Sequence, residues 1–355
     1  MKDAILPEWW EKGMGKTQAG YEMTIGILAT RLGLTHESLR DEQSEPLFRD
    51  DAPVRFKLKN GTVSHEVSAS QTFAVQVARL VLKGATSDTL VEVESASDVR
   101  ERILSAGLPW IDLRALLEWS WSVGIPVIHV DCRKIKGRTM EAMAVRVDGR
   151  YAIVLSLNHK SPARLLFHLA HELGHIILGH LEQDGVIADE GIADGAEGDM
   201  TGQDTQELEA NAFAVELLTG SAKKVYKLGA KSKTETLIKK AVEKGEKDRV
   251  LPASVVMLNT QYLREEMPHI KPWGRASKAL RVLETGRPAR EEINSTLCSR
   301  MRWSSLTEDQ TEFLEELLQI DSEITIQTCR FSSTLTSFWS WQVWICYQTC
   351  ARHLE

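Results

Sequence analysis

Phe167-His168-Leu169-Ala170-His171-Glu172-Leu173-Gly174-His175 sets two histidines four residues apart inside an otherwise apolar run. On a helix, at about 100° per residue, the two side chains stand about 40° apart, so both imidazoles reach one metal ion. Zinc suits such nitrogen donors. Glu172 follows the first histidine, where its carboxylate reaches an attacking water rather than the metal. It can take the water's proton as a general base and pass it to a leaving amine, while the metal polarises the carbonyl under attack. The chemistry expected here is zinc-assisted hydrolysis of a peptide bond.

The surroundings suit that reading. Trp110 to Val123 has helical spacing, Gly124-Ile125-Pro126 breaks it, and Val127-Ile128-His129-Val130 reads as a strand. Two more strands, Ala142 to Val147 and Tyr151 to Ser156, flank Asp148-Gly149-Arg150 as a hairpin. Ser161 and Pro162 then stand where the N-cap and first residue of the motif helix belong. The fold class expected is α+β, a zincin-like metallopeptidase domain. A small antiparallel or mixed sheet carries the active-site helix between mainly helical N- and C-terminal regions.

A zinc hydrolase needs a third protein ligand and an open fourth position. His180 is one candidate, but on a continued helix it points about 140° away from His175, so it reads as a surface or capping histidine. Gln206-Glu207-Leu208-Glu209-Ala210-Asn211 offers a better one. Glu207 and Asn211 are four apart and share a face, so the carboxylate can bind the metal while the amide orients a ligating histidine. Glu209 competes with Glu207 but points elsewhere. His168 precedes the first ligand by one turn and is placed either to touch substrate or simply to pack. Tyr151, Tyr226 and Tyr262 are candidate oxyanion donors, and no feature of the sequence chooses among them.

Composition sets the class. The chain has 355 residues, 43% hydrophobic and 26% charged, with a net charge of -7, which excludes wholesale disorder and a surface that is basic throughout. The first residues lack the apolar core of a secretory signal, and no stretch is long and apolar enough to anchor in a membrane. Cys132, Cys298, Cys329, Cys346 and Cys350 are few and odd in number, which suits reduced thiols. A cytoplasmic protein is expected.

Four segments follow from these patterns. Residues 1–105 form a helical region, in which Thr24 to Leu39 has the rhythm of a helix-turn-helix with Gly33 at the turn and Thr35 as a cap. The continuation Arg40-Asp41-Glu42 places acids where a DNA reader would face phosphate. Residues 106–220 hold the metallopeptidase domain, with an acidic loop at 182–206 that contains no Lys or Arg and reads as solvated. Residues 221–323 are a helical C-terminal region, whose Lys-rich run from Lys223 to Lys247 is interleaved with Glu235, Glu243 and Glu246, as on an exposed helix. Residues 324–355 are an atypical tail in which Cys346, Cys350 and His353 have only loosely metal-like spacing.

The run Phe167 to His175, joined to Glu207-Leu208-Glu209-Ala210-Asn211-Ala212-Phe213-Ala214-Val215-Glu216-Leu217-Leu218, closely resembles the ImmA/IrrE metallopeptidase family over about residues 105 to 220. The resemblance implies a gluzincin-like protease with metal ligands at His171, His175 and Glu207 and a catalytic Glu172. It also implies a protein substrate, a helix-turn-helix transcriptional repressor in the best understood members, and an XRE-type helix-turn-helix at the N-terminus. The chain departs from the family at His168, where a small polar residue is usual, and at Thr219-Gly220, where Met-Pro is usual. The alternatives to a protease are a DNA-binding regulator and an antitoxin-like interaction protein, with the zinc fold sensory or structural.

Overall fold

The computed structural model describes residues 5–7, 9–11, 13–41, 47, 55–58, 69–85, 95–131, 140–156, 161–181, 184–190 and 205–319. At the N-terminal end, helices α1 (Gln18–Leu32) and α2 (His36–Arg40) form a tight pair. Gly33 closes α1 in the left-handed region at φ 64°, and the Thr35 hydroxyl accepts from Ser38 N–H to start α2. α2 is a single short turn, and its Arg40 pairs with Glu22 of α1. A strand, β1 (Arg55–Leu58), and a long apolar helix, α3 (Ala69–Gly84), come next.

The central unit runs α4 (Ala96–Leu104), α5 (Leu113–Ser122), β2 (Val127–His129), β3 (Met140–Val147), β4 (Arg150–Leu155), α6 (Pro162–Ile177), β5 (Gly185–Glu190) and α7 (Thr205–Thr219). The five strands form one mixed sheet in the order β1-β5-β3-β4-β2. β3 and β4 are an antiparallel hairpin in which Val147 pairs with Arg150, so the turn is Asp148-Gly149 and Arg150 already belongs to the strand. Both turn residues have positive φ, 51° and 72°, as a two-residue hairpin turn of this twist requires. The expected solvated loop over 182–206 is corrected in part. Gly185 to Glu190 pairs antiparallel with β3, and β1 from the N-terminal region adds in parallel to its far side. Residues 191–204 lie outside the described residues, as do the tail and every cysteine except Cys298, a buried free thiol.

Alternation along the strands gives the sheet two apolar faces. Ala142, Ala144, Ile153 and Leu155 point toward α6, α5 and α7. Met143, Val145, Ala152 and Val154 point the other way, onto α3. Beyond the central unit lie α8 (Thr234–Asp248), α9 (Pro252–Glu266), α10 (Trp273–Leu283), α11 (Ala289–Arg300) and α12 (Glu308–Leu318). Leu297 of α11 and Phe313 and Leu314 of α12 join α3 on that second face. Buried Arg31 of α1 donates to Glu316 of α12 at 2.6 Å, tying the N-terminal helix pair to the last described helix. α8, α9 and α10 make a separate apolar cluster that reaches the outer side of α6 at Ala163 and Phe167.

The edge of the sheet at β2 is closed by a side chain. Asn294 of α11 accepts from His129 N–H and donates to His129 C=O, both at 3.0 Å, which satisfies one edge residue as a neighbouring strand would. Among the described residues no helix is long and apolar enough to cross a membrane.

Candidate metal centre

α6 is held to the sheet by its apolar face. Leu165, Leu166, Leu169 and Leu173 are fully buried, each worth roughly 1.5–3 kcal/mol. That burial offsets the cost of placing three polar residues on the same helix out of water, His171, Glu172 and His175, which are 3%, 0% and 1% exposed. Pro162 takes the first helical position, as expected. Ser161 occupies the N-cap site but its side chain does not cap the helix. Glu284, just past α10, does so instead: its carboxylate accepts from Ala163 N–H at 2.9 Å and from the Ser161 hydroxyl at 2.7 Å. Burial pushes the Glu284 carboxyl up, and these two bonds offset only part of the effect.

α7 lies across α6 with Ala210, Phe213, Ala214 and Leu217 buried between them. Its first turn carries Glu207, 4% exposed, to the histidine pair. His171 Nε2 and His175 Nε2 are 3.0 Å apart, and they stand 3.6 and 3.4 Å from the two Glu207 oxygens. Burial alone would push the Glu207 carboxyl up, but its close contacts with His171 and His175 outweigh this and hold it well below the usual carboxylate range. It is therefore ionised at neutral pH.

Hydrogen bonds behind the imidazoles orient them. Asn211 Oδ1 lies 3.1 Å from His171 Nδ1, one turn after Glu207 on the same helix, in the role expected for that amide. An amide oxygen accepts, so His171 Nδ1 carries the proton and Nε2 presents a lone pair. Two imidazole nitrogens and a carboxylate thus converge on one buried point, a donor set able to hold a metal cation. A four-coordinate transition-metal ion with bonds of about 2.0–2.2 Å sets its donors about 3.3–3.5 Å apart. The histidine–glutamate spacings of 3.4 and 3.6 Å lie close to that frame and the histidine pair, at 3.0 Å, is closer than it; within the described residues these three side chains form a group that could hold a metal.

His180 is not the surface or capping residue that a continued helix implied. α6 stops at Ile177, and Gly179, at φ 74°, reverses the chain. Gly179 N–H donates to Ile176 C=O, and His180 N–H donates to His175 C=O at 2.9 Å. This is the 6→1 closure that glycine just beyond a helix end allows. It returns the His180 ring to His175, with the two Nδ1 atoms 2.9 Å apart and His180 Nε2 3.1 Å from Glu209. Glu209 lies 54% exposed on the outer side of α7, so it faces away from the metal site, as expected. The Leu-Gly-His sequence after the apolar run was the signal for this turn.

The remaining candidates sit elsewhere. His168 faces Glu141 of β3 at 3.5 Å, and Arg164 reaches the same carboxylate at 3.6 Å. The Tyr226 hydroxyl is engaged by Asp248, that of Tyr151 by Leu181 C=O, and the Tyr262 ring carries Lys227 on its face.

A sheet with a helix bearing His-Glu-x-x-His, crossed by a second helix that adds a glutamate, defines a zincin-like metallopeptidase domain. Residues 122–222 match the family model Peptidase_M78, the IrrE N-terminal-like domain. Comparison with curated proteins gave no match.

Proposed function

We propose that the protein is a zinc-dependent endopeptidase of regulatory type, acting in the cytoplasm on a partner protein such as a helix-turn-helix transcriptional repressor. The observation that carries this reading is the convergence of His171, His175 and Glu207, with a fully buried Glu172 next to His171 in the sequence of a segment that matches a peptidase family. A zinc ion held there would supply Lewis acidity, lowering the pKa of water to about 7 and polarising the scissile carbonyl. Glu172 accepts the proton of the attacking water and delivers it to the departing amine. Asn211 keeps His171 in the tautomer that leaves Nε2 free. α7 supplies both Glu207 and Asn211, so one helix sets the third ligand and the orientation of the first.

The N-terminal helix pair is not assigned a DNA-reading role. α2 spans only five residues, its first turn carries Glu37, and Arg40 is engaged by Glu22.

The test is cleavage of helix-turn-helix proteins encoded beside this one by wild type and by Glu172→Gln. The substitution keeps the size of the side chain and removes the base, so a fall of roughly 100-fold or more with zinc content unchanged is expected. Equal cleavage by both proteins would remove Glu172 from the mechanism.

A further inference from the structure

The two metal-facing histidines are held from behind by unlike groups. His171 meets the neutral amide of Asn211, whereas His175 meets the ring of His180, which in turn meets the carboxylate of Glu209. A carboxylate only accepts, so His180 Nε2 carries a proton and, in the neutral ring, Nδ1 is the acceptor. His175 Nδ1 therefore donates, and its Nε2 keeps the lone pair that faces His171 and Glu207. Resting on the metal-centre reading above, we propose that His180 and Glu209 are positioning residues: they lock the tautomer of His175 and pass the carboxylate's charge through the His180 ring, making Nε2 a stronger donor to a divalent metal.

Two further features support the assignment. The His180 side chain is only 5% exposed, and its ring stands edge-to-face with that of His175 at 5.0 Å between centroids. Its backbone N–H also bonds to the His175 carbonyl, so main chain and side chain are anchored on the same residue. On α7, Glu207 and Glu209 are about 200° apart. One helical turn thus offers a carboxylate to the metal point on its inner side and a carboxylate to the His180 ring on its outer side.

The experiment measures zinc affinity by competition with a chromophoric chelator for wild type, Glu209→Ala, Glu209→Gln and His180→Ala. The His175 Nδ1 proton is followed by 1H–15N NMR in the zinc-loaded proteins. Removing groups that orient a ligating histidine costs about 10–100-fold in metal affinity, so Glu209→Ala is expected near the lower end and His180→Ala near the upper. Glu209→Gln, whose amide oxygen still accepts from His180, recovers part of the loss. In Glu209→Ala the Nδ1 proton moves upfield and exchanges faster with water, while the melting temperature of the metal-free protein stays at the wild-type value. Wild-type affinity together with an unmoved resonance in Glu209→Ala overturns the proposal and leaves the metal centre standing. Wild type that binds no zinc overturns both. Should His180→Ala fail to fold, Glu209→Ala decides alone, because it alters a largely exposed side chain.

Discussion

Gly174 of the metal-binding helix packs directly on the backbone of Ala210: a Cβ built on Gly174 would lie 3.1 Å from Ala210 Cα and 3.2 Å from Ala210 O. The glycine inside the motif is therefore what lets α7 approach closely enough to bring Glu207 to the two histidines. Gly174→Ala forces that backbone outward by a few tenths of an ångström. The gain in helix propensity, about 1 kcal/mol, works against the strain. Little net change is expected in the thermal stability of the metal-free protein, but a drop of about tenfold or more in zinc affinity, since ligand geometry tolerates little displacement. Chelator competition on the two proteins checks this, and equal affinity would mean that α7 is not positioned by this contact.

Asn211→Ala removes the acceptor for His171 Nδ1–H without touching a ligand. Zinc affinity should fall about 10–100-fold. Asn211→Asp, which still accepts, should stay closer to wild type. Dissociation constants for the three proteins, beside circular dichroism to confirm the fold, decide the matter.

Glu284 caps α6 from outside the peptidase segment, and its carboxyl is raised by burial. A raised folded-state pKa means that the native protein holds this proton more tightly than the unfolded chain. The group's contribution is therefore fully present below the unfolded value near 4.5, and is lost as the pH rises through the raised folded value. Denaturant titrations of wild type and Glu284→Gln across that window should show wild type losing stability relative to the variant as pH rises. Glu284→Ala, which leaves Ala163 N–H without its cap, should cost about 1–2 kcal/mol.

Arg100 of α4 donates to Leu217 C=O and Leu218 C=O at the end of α7 and to Arg249 C=O beyond α8. Loss of a charged donor from such carbonyls costs about 1.5–3 kcal/mol. Arg100→Ala is expected to lower stability by that amount in urea unfolding, with zinc affinity nearly kept because Glu207 sits at the opposite end of the helix.

Much of the site was legible because its geometry is local. The spacing of His171 and His175, and that of Glu207 and Asn211, are each set within one helix, so a 3.6-residue repeat suffices to aim them. The hairpin of β3 and β4 was legible for the same reason. The place of His180 was not legible, because a 3.6-residue repeat carries the helix past Gly179, where the chain in fact reverses. Strand β5 was hidden by its acids: only Val186 and Ile187 stand out as branched apolar residues in Gly185 to Glu190, and the partners that make it a strand come from β3 and from distant β1. The Glu284 cap and the Asn294 edge closure join residues more than a hundred positions apart, which no local pattern records.

The most direct test of the account is zinc content, measured by elemental analysis on wild type, His171→Ala, Glu207→Ala and Glu172→Gln after equilibration with zinc and removal of the excess. Roughly one zinc per chain is expected in wild type and Glu172→Gln, and close to none in the two ligand variants. Wild type without zinc, or Glu207→Ala that retains it as wild type does, would contradict the centre described here.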